Sequence, residues 1–226
     1  MDLGFTLDEA FEKVGMPIYF QHVLKSCYSQ EHRCYHNIDH VCEMLKWVPR
    51  NHPEVEIIID AILFHDIVQY HPTPLGMSEA LSVAEFSLYT AKLISFDTPF
   101  GKDEEDLGYE YHVIEAIVAT GRHTEDQKNL SEVSKWVLDL DLSTFALPWP
   151  EYILWREKIE KENLTIYPDR SPDEIKKGRH QFLQKLLDRQ QLYYIHTAWE
   201  KPARENIQKD LNYERKNLSD PTASLY

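Results

Sequence analysis

Val55-Glu56-Ile57-Ile58-Ile59-Asp60-Ala61-Ile62-Leu63-Phe64-His65-Asp66-Ile67-Val68 is the stretch whose reading decides the fold. It is almost wholly apolar. Such a run suits a buried strand or a buried helix, and its length favours the helix. A helix that is apolar on nearly every side has no solvent face, so it belongs at the centre of a bundle.

Helical signals continue outward in both directions. Upstream, Thr6 and Glu9 form a capping box ahead of Ala10, Phe11 and Val14. Apolar residues at helical spacing follow over 17–29 (Ile18, Phe20, Val23, Leu24) and 37–48 (Ile38, Val41, Met44, Leu45, Val48). Downstream, helices are predicted over 77–94, 111–119, 130–145 and 152–163. Ser171-Pro172-Asp173-Glu174 is a second capping box with proline at the first helical position, opening a helix to about Gln190. A last helix is predicted over 201–213. The acidic stretch from Ser95 to Tyr109 contains Pro99, Gly101 and Gly108 and predicts a loop, while Pro148 and Pro150 predict a break. The expectation is an all-α fold: one compact helical domain over 1–214, with a polar, frayed tail over 215–226.

Composition narrows the partners. The chain has 226 residues and a formal net charge of −14. That surface repels polyanions, so long nucleic acid and acidic membranes are poor partners. A small phosphate ester remains compatible, because a bound cation and a few arginines reverse the potential locally. Cys27, Cys34 and Cys42 show no Cys-x-x-Cys spacing and read as free thiols. No basic-then-apolar leader opens the sequence, and no apolar run has the roughly 20 residues needed to span a bilayer. The expected location is cytoplasmic. Oligomeric state is not readable.

Histidines and aspartates gather in four places: Tyr35-His36-Asn37-Ile38-Asp39-His40, Phe64-His65-Asp66, Thr120-Gly121-Arg122-His123 and Asp139-Leu140-Asp141-Leu142-Ser143. Each lies in or beside an apolar, helix-like stretch. On a helix, His36 and His40 share one face. His65 and Asp66 diverge by about 100° on a helix, yet converge if it passes close beside an ion. Asp66 matters most, because a carboxylate among aliphatic residues is expensive without a compensating charge. Asp139 and Asp141 point to nearly opposite sides of a helix, so at most one faces a common centre. A divalent metal fits this mixture of nitrogen and oxygen donors.

The order His40, then His65-Asp66, then a distant Asp141 resembles the HD-domain superfamily of metal-dependent phosphohydrolases. Tyr35-His36-Asn37-x-x-His40 and Asp141-Leu142-Ser143 are similar to local motifs of cyclic-nucleotide phosphodiesterases. Over nearly the whole chain the closer resemblance is to a small, largely uncharacterised group of HD phosphohydrolases. The pieces that carry it are Arg33 to Asn37, Phe64 to Val68, Glu79, Thr120 to His123, Asp139 to Leu142, Gly178-Arg179 and Glu200 to Asn206. Four places depart from that pattern, one of them the Glu200-to-Asn206 piece, whose spacing is one residue longer with Lys201-Pro202 ahead of Ala203. Val68-Gln69-Tyr70-His71-Pro72 is one residue longer, Ser78 stands where asparagine is common, and Ile159-Glu160-Lys161-Glu162-Asn163 replaces Ile-Arg-x-Glu-Tyr.

The resemblance implies a helical bundle holding one or two divalent metals (Mn, Mg, Fe, Co, Ni or Zn). His40, His65, Asp66 and Asp141 would be ligands, with His123 a candidate for a second metal or for phosphate. His36 would match the histidine that protonates the leaving alkoxide, and Asp66 would orient the attacking water. Glu79 reads either as a base holding that water or as a carboxylate favoured at a helix start. Arg33, Asn37 and Arg179 are the candidates for substrate binding, guanidinium forks suiting phosphate. The implied activity is hydrolysis of a phosphate ester of a small molecule, most plausibly a nucleotide. A di-iron oxygenase and a non-catalytic nucleotide-sensing module are the alternatives on the same scaffold.

Overall fold

Residues Val55–Phe64 do form a helix, and every residue of it except Glu56 and Ile57 is buried. It is seen in a computed structural model that describes residues 3–69, 77–97 and 104–219. The α-helices of the described residues are α1 (Leu7–Lys13), α2 (Ile18–Tyr28), α3 (Ile38–Leu45), α4 (Val55–Phe64), α5 (Met77–Asp97), α6 (Glu104–Thr120), α7 (Glu132–Asp141), α8 (Trp149–Ile166), α9 (Pro172–Asp188) and α10 (Glu200–Ser219). Short 3₁₀ turns lie at Ser143–Ala146 and Thr197–Trp199. Among the described residues the only extended pairing is an isolated bridge between Leu3 and Pro49. The fold is all-α, and no helix of the described residues is long and apolar enough to cross a membrane.

Both expected capping boxes are present. The Thr6 hydroxyl accepts from Glu9 N and the Glu9 side chain accepts from Thr6 N; Ser171 and Glu174 repeat the arrangement at α9. Asn37 caps α3 and Ser131 caps α7. Gly15, at φ +63°, takes the left-handed conformation just beyond α1, which a side chain would resist.

Two apolar cores hold the helices. The larger gathers α4 with side chains of α1, α2, α3, α5, α6 and α7. The smaller joins Leu142 and Phe145 to α8, α9 and α10. Trp199 packs against both.

Several element ends differ from the sequence reading. α4 stops at Phe64 instead of reaching Val68, leaving His65 and Asp66 in the turn beyond it. The acidic stretch is not all loop: α5 reaches Asp97, and α6 opens at Glu104. Gly108 lies inside α6; Pro99 and Gly101 lie outside the described residues. Pro150 does not break the chain but sits in the first turn of α8, where its missing N–H is harmless. The expected helix over 130–145 is divided into α7 and the Ser143–Ala146 turn. α10 continues to Ser219, through the start of the expected tail, and 220–226 lie outside the described residues. The three cysteines are free and half-buried.

Asp60 is an anomaly inside α4. It is 3% exposed; Tyr109 Oη donates to its Oδ2 at 2.8 Å, and its Oδ1 has no hydrogen-bond partner among the described residues. Burial pushes its carboxyl up to about 7, with the Tyr109 hydrogen bond opposing. An unfolded aspartate titrates near about 4. Between those values the folded chain binds more protons, so Asp60 makes stability fall as pH rises from about 4 to about 7 and leaves it low above. Asp60→Asn is therefore expected to raise the melting temperature more at pH 8 than at pH 5. Thermal melts at the two pH values check this; equal shifts would contradict it.

Candidate metal centre and its cavity

The centre is built where α4 ends. A helix terminus leaves carbonyls without intrahelical donors, and here side chains take them. Tyr28 Oη donates to Leu63 O at 3.1 Å, and His65 Nδ1 donates to Ile62 O at 2.8 Å. Arg33 donates to Asp66 O (2.6 Å), Ile67 O (2.9 Å), His36 O (3.1 Å) and Gln30 Oε1 (2.9 Å). The turn carrying His65 and Asp66 is thus clamped from several sides. The two side chains converge there: His65 Nε2 lies 3.1 Å from Asp66 Oδ2.

His40 arrives from the first turn of α3, positioned by the Asn37 cap, which accepts from Asp39 N at 2.9 Å and His40 N at 3.4 Å. Asp141 comes from the last residue of α7 and stands between imidazoles. Its Oδ1 is 3.0 Å from His40 Nε2 and 3.8 Å from His65 Nε2, and its Oδ2 is 2.6 Å from His123 Nε2. Asp139 turns the other way, as its spacing predicts. It is fully buried and accepts from the backbone N–H groups of Tyr194, Ile195 and His196 at 2.7–2.8 Å.

One atom tests whether these residues fit a divalent cation. With Nδ1 donating to a carbonyl, His65 aims Nε2 at the cluster, as an N–H toward Asp66 or, with that proton displaced, as a lone pair for a cation. That nitrogen is buried, and its polar neighbours are carboxylate oxygens: Asp66 Oδ2 at 3.1 Å and Asp141 Oδ1 at 3.8 Å. Buried polar atoms are normally satisfied. One ligand atom each from His40, His65 and Asp66 lies within 4.8 Å of the others, with Asp141 adjoining. The donor set suits Mn, Fe, Co, Ni or Zn.

The electrostatics point the same way. Burial opposes ionisation of Asp66, but the imidazoles of His65 and His36 outweigh it and hold the carboxyl well below its usual range. Asp141 behaves alike: burial is outweighed by His123, His40 and His65. In return, Asp66 and Asp141 raise His65 to about 9 against its burial. Two half-buried carboxylates aimed at ring nitrogens make a place for positive charge, whether proton or metal ion.

His36 does not share a helix with His40, because α3 opens at Ile38 and Asn37 is its cap. It is held instead by Glu162 of α8, which is 2% exposed. Glu162 Oε2 accepts from Tyr35 N at 2.6 Å and His36 N at 3.0 Å, Oε1 accepts from Gln69 Nε2 at 2.9 Å, and Oε1 pairs with His36 Nδ1. This leaves His36 Nε2 facing Asp66 Oδ2 at 3.9 Å. Burial would lower the pKa of His36, but Glu162 and Asp66 overcome it and raise it to about 9.

A cavity of about 490 Å³ opens beside this cluster, a size that suits a small organic molecule. His36, Asp66, Glu79, His123 and Asp141 line it. Glu79 packs on Gly121, where an added Cβ would stand 2.8 Å from Glu79 Cδ; only glycine leaves the carboxylate there. The expected substrate arginines are placed differently. Arg33 is 5% exposed, faces backbone carbonyls and does not line the cavity. Asn37 caps α3 and donates to Arg33 O and Cys34 O. Arg179 lines the cavity, but its Nη2 donates to Asp210 Oδ2 at 2.6 Å and Tyr152 Oη at 3.0 Å. Tyr70 to Pro72, part of the longer segment, lies outside the described residues.

Sequence reading misses Glu162, and with it the cavity walls contributed by Ile159, Tyr167, Arg170 and Phe182. Among the charges of α8, nothing in the sequence marks Glu162 as buried; its agreement with the glutamate of Ile-Arg-x-Glu-Tyr is the one available signal. Comparison with protein-family models and with curated proteins finds no match to this chain.

Proposed function

We propose that this protein is a metal-dependent phosphohydrolase of the HD-domain type, acting on a phosphate ester of a small molecule, most plausibly a nucleotide. The observation that carries the reading is the convergence of His40, His65, Asp66 and Asp141 at the edge of a ligand-sized cavity, with one donor atom each from His40, His65 and Asp66 within 4.8 Å of the others.

His40, His65, Asp66 and Asp141 would hold the cation, with His123 and Glu79 close enough to the same cavity to assist a second. A bound divalent ion supplies two things: it polarises the phosphoryl group and brings the pKa of a bound water from about 15.7 toward 7. The remaining work falls to the chain. Arg33 and Tyr28 keep the His65-Asp66 turn rigid, so the ligand atoms are preorganised. Glu162 fixes the His36 ring through Nδ1 and leaves Nε2 free to give its proton to the departing alkoxide oxygen. Glu79, half-buried against Gly121 with Oε2 unpaired among the described residues, is the group available to take the proton from the attacking water. The negative surface keeps long polyanions away, leaving a small ester as the substrate.

A screen tests this. The purified protein is stripped, reloaded with each divalent metal in turn and incubated with nucleotides and simple phosphate esters. The expected result is phosphate release from at least one ester, abolished by chelation and restored by metal. Nucleotide binding with no release under any metal would overturn it in favour of a sensing module. Oxygen consumption by an iron-loaded protein would overturn it in favour of the oxygenase.

A further inference from the structure

The walls of the cavity that α8, α9 and the turn between them contribute are mostly apolar: Ile159, Tyr167, Ile175 and Phe182, with Asn163 the uncharged polar side chain among them. Phe182 also packs against the smaller core. Ile159, Tyr167 and Ile175 join neither apolar core, although Ile175 is buried. Apolar side chains are usually drawn into a core; these face the cavity instead.

Gly178 is a second and independent mark. It lies within α9 and lines the same cavity. Glycine is among the least favoured residues in a helix interior. Its φ is not positive, so the backbone does not require it. A Cβ there would touch no atom within 4 Å, so packing does not require it either. What the glycine does is leave the cavity wall bare.

The cations are few. Arg179 is paired with Asp210, and Arg170 stands at the cavity over the Tyr167 ring at 4.4 Å. Asp66, Glu79 and Asp141 line the same space. Asp66 and Asp141 are matched by imidazoles and by the cation they would hold, so phosphates beyond the reacting one would find Arg170 and the already paired Arg179 as the guanidinium groups of the cavity wall.

We infer that the chamber walled by Ile159, Tyr167, Ile175, Phe182 and bare Gly178 binds the organic part of the substrate, a flat and uncharged aromatic group carrying a single phosphate. The inference rests on the hydrolase reading for the phosphate, but the chamber is testable apart from it.

Gly178→Leu puts a side chain into the chamber and raises helix propensity, so the variant is expected to melt no lower than wild type. Calorimetric titration of the metal-loaded protein compares 1-naphthylmethylphosphonate with methylphosphonate. Wild type is expected to bind the naphthyl compound about ten-fold more tightly or better, and Gly178→Leu is expected to lose that advantage. Equal affinities in wild type, or an advantage unchanged in Gly178→Leu, would overturn the chamber. 1-Naphthylmethanol, the ring without phosphorus, separates the two readings. Ring binding by wild type but not by Gly178→Leu supports the chamber even if no phosphate ester is ever cleaved. No ring-dependent binding overturns the chamber and leaves the hydrolase reading to its own screen.

Discussion

If the proposed metal centre is correct, Asp141→Asn is expected to abolish divalent-cation binding and to lower phosphate-ester turnover by on the order of a thousand-fold or more. The carboxylate offers one oxygen toward His40 and His65 and the other toward His123. An amide of the same shape presents one oxygen and one NH₂, so it loses the charge and turns a donor toward one of these imidazoles. Asp141 is near the surface of the cluster, at 13% exposure, and sits at the last residue of α7, where no helical hydrogen bond depends on its side chain. The fold should therefore survive. Metal analysis, phosphate release and circular dichroism on the same sample check the three parts. Full metal content with unchanged helicity would contradict the ligand assignment.

Asp210→Ala is expected to cause a large loss of stability, well beyond that of an ordinary surface substitution. Asp210 is fully buried. Tyr152 Oη and Arg179 Nη2 donate to its Oδ2, both at 2.6 Å, and Arg156 Nε donates to Oδ1 at 2.7 Å. Burial alone would raise its pKa, but Arg179, Tyr152 and Arg156 lower it. Removing the carboxylate takes a buried charge partner from two guanidinium groups, Arg156 keeping Glu160 at 3.4 Å and Arg179 keeping Tyr152 Oη at 3.0 Å, a loss of about 3–5 kcal/mol. For a chain of this size that is roughly 10 °C in melting temperature. The effect reaches the cavity as well, because Arg179 lines it and loses its anchor. Thermal melts check the prediction; a melting temperature within a degree or two of wild type would refute it. Asp210→Asn should lie between the two, keeping acceptor capacity without the charge.

The fold is largely legible in the sequence because its strongest signals are local. The apolar run of α4 is too long for an ordinary strand, and Thr6-Glu9 and Ser171-Glu174 announce helix starts by hydrogen bonds made within four residues. Asp66 stands out because a carboxylate among Ile62, Leu63, Phe64, Ile67 and Val68 demands compensation whatever surrounds it.

The misreadings share one physical cause: they depend on tertiary partners. α4 ends before His65 because Tyr28, Arg33 and the His65 ring itself take carbonyls that further helical turns would have satisfied. Spacing alone places His36 and His40 on one helix face; the Asn37 cap puts His36 outside it, where Glu162 aims it. Arg33 reads as a phosphate fork in a motif, yet its donors find backbone carbonyls more than thirty residues away in sequence. Arg179 likewise meets an aspartate from α10 that no local pattern pairs with it.

The most direct test is diffraction from crystals grown with Mn(II) or Zn(II), using anomalous scattering to locate the ion. The expected result is a strong peak bonded by His40, His65, Asp66 and Asp141, with any second peak beside it, toward His123 and Glu79. A peak elsewhere, or no peak here with His40 and His123 still hydrogen-bonded to Asp141, would contradict the account.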